Sequence, residues 1–143
     1  MKKFVMGFVS FVFAMAVAAS PVYNAATKTA RMNAVVTQID GGGAAGSLVI
    51  GTASMATTLC TITLNYSPNG TVSGSVLTLS GFPKSCTAAA TGTAAAAVVN
   101  NSAGTAVITG LTVGTSGSDI NLNTTSITSG QTVTVNSMTF THF

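Results

Sequence analysis

From Ser47 to the C-terminus the chain repeatedly places apolar residues two apart and interrupts them with glycine, serine and asparagine. In the clearest run Cys60, Ile62, Leu64 and Tyr66 alternate with Thr61, Thr63 and Asn65, the pattern of a strand buried on one face only. Leu48 with Ile50, Ala94 to Val99, Thr105 to Val113 and Ile120 with Leu122 give further short strands. A last strand spans Thr132 to Phe143. Within it Val133 and Val135 share one parity and Met138 and Phe140 the other, which calls for a bulge at Asn136 and Ser137. The expected fold is therefore mainly β, an antiparallel β-sandwich or jelly roll.

Turn chemistry sets the boundaries. Ser67, Pro68, Asn69 and Gly70 form a strong turn signal and predict a hairpin partner from Thr71, with a bulge at Gly74 to Val76. Asn100 to Gly104, Gly114 to Ser118, and Ser129 with Gly130 mark further turns, and Gly110 interrupts a strand. The stretch from Gly81 to Ala90 reads as a loop or irregular edge. The one good helix runs from Ala25 to Ile39, capped by Asn24 and ended by Gly41, Gly42 and Gly43, with Ala26, Ala30, Ala34 and Val35 near one face.

Met1 to Ser20 differ from everything after them. Lys2 and Lys3 precede an uncharged run from Phe4 to Ala19 that ends in small residues, the layout of a secretory signal peptide. The organisation is then a signal over 1–20, a short helix and Gly-rich linker over 21–45, and a β domain over 46–143. Membrane contact is expected only through the signal if it is uncleaved. Export leads to the periplasm or the cell exterior, where Cys60 and Cys86, the only cysteines, are expected to pair. Closing that loop stabilises the fold by about 3.5 kcal/mol on a chain-entropy estimate.

Charge excludes several functions. The formal +3 includes Lys2 and Lys3; beyond Ser20 only Lys28, Arg31 and Lys84 face Asp40 and Asp119. A nucleic-acid groove needs several cations, so nucleic acid is not an expected partner. No catalytic constellation assembles from one histidine, His142, and two aspartates in separate turns. No cofactor is implied and no metal set is predicted. Asp119, Asn121 and Asn123 alternate like calcium ligands, but an Asp in a Gly-Ser-Asp turn more commonly accepts backbone hydrogen bonds.

Lys28 to Phe143 resembles a family of small structural proteins of tailed bacteriophages and prophages. The likeness is carried by Thr29-Ala30-Arg31-Met32-Asn33-Ala34, the Gly41-Gly42-Gly43 break, Gly92-Thr93-Ala94, Gly104-Thr105-Ala106-Val107-Ile108-Thr109-Gly110, Asp119-Ile120-Asn121-Leu122-Asn123-Thr124-Thr125 and Gly130-Gln131-Thr132-Val133-Thr134-Val135. It implies a non-enzymatic β-sandwich virion component, whose partners are copies of itself or head or tail proteins. The chain departs from that family in its alanines at Ala94 to Ala97, where the family tends to carry an aromatic, and in its export signal. The N-terminus resembles type IV pilins through Gly7-Phe8, Pro21-Val22-Tyr23-Asn24 and the following helix, with Val12 where pilins carry Glu. A secreted surface-binding or adhesin module would need an exposed aromatic platform. Its candidates are Tyr66, Phe82, Phe140 and Phe143, and alternation assigns Tyr66 and Phe140 to the core.

Overall fold

The computed structural model describes residues 21–67 and 69–141. The expected signal peptide, Pro68 of the predicted turn, His142 and Phe143 lie outside the described residues. Helix α1 (Ala25–Ile39) is followed by strands β1 (Ser47–Gly51), β2 (Thr58–Thr63), β3 (Gly70–Ser73), β4 (Val76–Leu79) and β5 (Lys84–Thr87). Then come β6 (Gly92–Thr93), β7 (Ala96–Asn100), β8 (Ala106–Gly114), β9 (Ile120–Leu122), β10 (Ser126–Ile127) and β11 (Thr132–Thr141). The chain is mainly β with one short N-terminal helix, as the periodicity predicts.

The helix has the predicted bounds because both ends are chemically marked. Asn24 has extended backbone and its side chain accepts the Thr27 N–H at 2.8 Å, satisfying a donor that the first turn leaves unpaired. At the other end the Asp40 N–H reaches Val36 O, and Gly42 and Gly43 then take positive φ. The buried face shares only Val35 with the expected one. Met32 and Ile39 are buried and Val35 and Val36 half-buried, whereas Ala26, Ala30 and Ala34 face solvent. Met, Ile and Val remove more apolar area from water than alanine does, so they decide which face turns inward.

The strands run in the order β2-β1-β7-β8-β9-β11-β4-β3, with β5 also on β11, and β6 pairs with β10 in a separate two-stranded ribbon. All pairings are antiparallel except β8 with β9, which is parallel. The predicted hairpin across Ser67 to Gly70 does not form. Instead β2 pairs with β1, and β3 turns back into β4 across Gly74 and Ser75, where Gly74 supplies a φ of +58°. The residues expected to bulge are therefore the turn itself. Asn69 is drawn inward, 1% exposed, and its amide donates to Asp40 Oδ1 at 2.8 Å.

The stretch predicted as an irregular edge contains β5, which pairs with Thr132 to Val135 on the side of β11 that β4 occupies at Thr139 to Thr141. Ser80 to Pro83, with a cis Phe82–Pro83 peptide, separate the two. The predicted bulge in β11 is present as a register shift between Val135 and Ser137. It brings both parities inward, so Val133, Val135, Met138 and Phe140 are all buried.

The sheet curls until its β2 edge meets β5. The Ala89 N–H donates to Leu59 O at 2.8 Å, Lys84 Nζ donates to Thr63 O at 2.9 Å, and Cys60 of β2 is disulfide-bonded to Cys86 of β5. The Cα–Cα distance of 6.1 Å lies in the range that a disulfide spans. Inside the curl Leu48, Ile50, Leu59, Val99, Ile120 and Leu122 are fully buried, and Met32 and Ile39 of α1 belong to the same core. No helix among the described residues is long and apolar enough to cross a membrane.

Candidate functional site

Strands β8 and β11 flank the short strand β9 beside α1. Strand β9 is only three residues long and reaches β8 at Val113 and Gly114 alone. From Ala106 to Leu111, therefore, the edge of β8 turned away from β7 has no strand beside it among the described residues. On the far side β9 accompanies β11 only from Val135 to Met138, so Phe140 and Thr141 are likewise unaccompanied there. A slot remains between the two strands.

Gly110 shapes the open edge. Its φ of +72° is a conformation that residues with a Cβ rarely adopt, and Thr109 and Gly110 together stand opposite the single residue Val98. This bulge twists β8 where its outer edge is unpaired, a common way of handling an exposed strand edge. Val107, Ile108, Thr109 and Leu111 form one wall of the slot, Met32 and Val35 of α1 its floor, and Phe140 and Thr141 the opposite wall, around a cleft of about 360 Å³.

Asp119 closes one end. Its carboxylate Oδ2 accepts the Thr112 N–H at 2.9 Å and the Thr112 hydroxyl at 2.7 Å, and the Asp119 N–H donates back to Thr112 Oγ1 at 3.1 Å. The Asp119 carbonyl accepts from Thr139 N at 3.2 Å. One residue thus ties β8 to β11 at the point where β9 begins. Only this acid lines an otherwise apolar and hydroxyl-bearing cleft, and hydrogen bonds from Thr112 already occupy it.

The other sequence-predicted candidates are placed as follows. Asp119, Asn121 and Asn123 do not converge on one point. Asn121 accepts the Ser118 N–H at 3.2 Å and donates to Ser118 O and Ser137 Oγ, while Asn123 Oδ1 accepts the Thr134 N–H at 2.9 Å. Each side chain thereby completes a turn or extends a ladder, the turn-capping role expected of Asp119. Asp40, the second acid, holds Asn69. Cys60 and Cys86 form the predicted disulfide. Phe140 is buried as alternation assigns it, but Tyr66 is not: β2 ends at Thr63, the alternation lapses, and the residue is 52% exposed.

The slot itself was not among the sequence candidates. Its signals were the shortness of the Ile120 to Leu122 strand and the length of the Thr105 to Val113 strand, which cannot be matched residue for residue. No protein-family model, no curated protein and no solved structure matches this chain.

Proposed function

We propose that this protein is a non-enzymatic structural component, exported from the cytoplasm, that works by associating with copies of itself or with other proteins of a larger assembly. The observation that carries the reading is the open β8 edge over an apolar cleft. An unaccompanied strand edge is a template for strand addition by another chain. Apolar walls add the area that makes such pairing hold.

Three further features support it. Beyond Ser20 the chain has five charged side chains, too few to keep neighbouring copies apart by repulsion. Both carboxylates accept structural hydrogen bonds, Asp40 from Asn69 and Asp119 from Thr112. The resemblance to phage and prophage structural proteins points to virion-like ancestry as a decoration or tail-associated domain. Export is supported by the layout of Met1 to Ser20 and agrees with the Cys60–Cys86 disulfide.

Size-exclusion chromatography with light scattering, together with co-sedimentation on candidate particles, tests the proposal. Multimers or a particle-bound fraction are expected. A strict monomer that binds no particle would overturn it. N-terminal sequencing of secreted material tests export separately and should place the first residue near Ser20.

The exposed Tyr66 favours a second reading, a secreted surface-binding module, because an aromatic presented to solvent is what such a module needs. A glycan-array signal abolished by Tyr66→Ala would support it, and an array blank for the wild type would end it.

A further inference from the structure

We propose that the slot between β8 and β11 receives the N-terminal arm, Pro21 to Asn24, of a second copy of this chain, so that copies join head to tail. The inference rests on the structural reading above and names its partner and its contact.

The slot lacks a strand. Ala106 to Leu111 offer six residues of unaccompanied edge, about 20 Å at ~3.3 Å per residue, and the walls and floor present Val107, Ile108, Val35 and Phe140. A strand continuing the line of β9 past Asp119 would lie in this gap. There it would exchange main-chain hydrogen bonds with β8 and bury alternate side chains in the cleft, the ordinary logic of strand addition.

The arm, about 13 Å long when extended, covers part of that edge and has the matching chemistry. It is not helical, Asn24 at its end has extended backbone (φ −69°, ψ 165°), and no charged residue occurs between Pro21 and Thr27. Val22 is 90% exposed and Tyr23 42% exposed, and with Tyr66 they are the large hydrophobic residues that the described chain leaves in solvent. Pro21 lacks an N–H, which suits the first residue of an added strand. A neutral apolar arm faces a cleft whose one acid is already hydrogen-bonded by Thr112.

The arm does not serve its own slot. Val22 could not be 90% exposed if it were seated there. Asn24 is fixed as the cap of α1, and the Arg31 guanidinium carbon stands 4.8 Å from the Tyr23 ring centroid, which holds the arm at the start of the helix. Met32, the nearer floor residue, is eight residues further on, about 12 Å along the axis at ~1.5 Å per residue. Arm and slot are distinct surfaces of one chain. Each contact therefore joins the arm of one copy to the slot of the next, and repetition gives a ring, whose smallest form is two copies exchanging arms, or an open filament.

Light scattering on the purified protein over a hundredfold range of concentration, alone and with two single variants, provides the test. Val22→Asp alters an exposed position and Thr109→Arg an exposed residue on the slot wall, so both should keep the wild-type circular dichroism and disulfide. Each alone is expected to reduce the multimer to monomer. An equimolar mixture is expected to stop at a dimer, because the Thr109→Arg copy still has an arm and the Val22→Asp copy still has a slot. Multimers unchanged by both variants would overturn the inference and leave the structural reading standing, as would a monomer that binds particles. Loss with Thr109→Arg alone would assign the contact to a β8–β8 edge pair and overturn the arm. A mixture that stays monomeric would overturn the head-to-tail arrangement. A wild-type monomer that binds nothing would overturn both readings.

Discussion

Asp119 and Thr112 hold each other through three hydrogen bonds across seven residues of sequence, two received by the carboxylate and one returned from the Asp119 N–H. Bonds to an ionised acceptor are stronger than neutral ones, and removing the acceptor leaves the Thr112 N–H without its partner. Asp119→Ala should lower stability by about 1–3 kcal/mol, and Asp119→Asn by less, because an amide oxygen still accepts but without the charge. Urea unfolding followed by circular dichroism measures both. Equal losses for the two substitutions would show that the charge contributes nothing.

The same pair shows what could be read in the sequence. A Gly-Ser-Asp turn announces that Asp119 accepts backbone hydrogen bonds, but not that the donor lies on the strand before the turn. Local signals of this kind were legible throughout. Asn24 as a cap, the turn from Asn100 to Gly104, and the bulge between Val135 and Met138 follow from side-chain chemistry within a few residues. Pairing across the chain was not. Asn69-Gly70 has the chemistry of an exposed turn, yet Asn69 is buried because Asp40, far earlier in the chain, supplies its partner. β3 takes β4 and not β2 as its neighbour through the tight turn at Gly74 and Ser75, a local signal that competes in the sequence with Asn69-Gly70. The slot is harder still, since it consists of a strand that is absent.

Gly110 offers a second prediction. A Cβ built there meets nothing within 4 Å, so replacement is resisted by the backbone φ of +72° and not by crowding. Gly110→Ala should cost about 1–2 kcal/mol, the penalty of the left-handed conformation for a residue with a Cβ. Gly110→Asn should cost less, because asparagine tolerates that region. Thermal unfolding of the two variants gives the comparison. An alanine variant as stable as wild type would mean that the bulge relaxes into ordinary strand geometry, and the open edge of β8 would then be free to straighten.

The disulfide carries the last prediction because of where it lies in the sheet. Cys60 is on β2, at one end of the strand order, and Cys86 is on β5, which reaches the sheet through β11. The bond therefore fastens the two margins of the curl. Its sequence separation of 26 residues sets the entropy lost by the unfolded chain. Replacing both cysteines by alanine should lower stability by about 3.5 kcal/mol on that model, with a further contribution from lost packing at the buried Cys60. The margins retain Ala89 N–H to Leu59 O and Lys84 to Thr63 O, so the double variant should keep its β-sheet circular dichroism at low temperature. Two measurements separate the contributions. Urea midpoints of the wild type with and without reductant give the effect of the covalent link, and the double alanine variant adds the packing loss. A wild type whose midpoint ignores reductant, with its thiols shown to be freed, would mean that hydrogen bonding and burial alone close the curl.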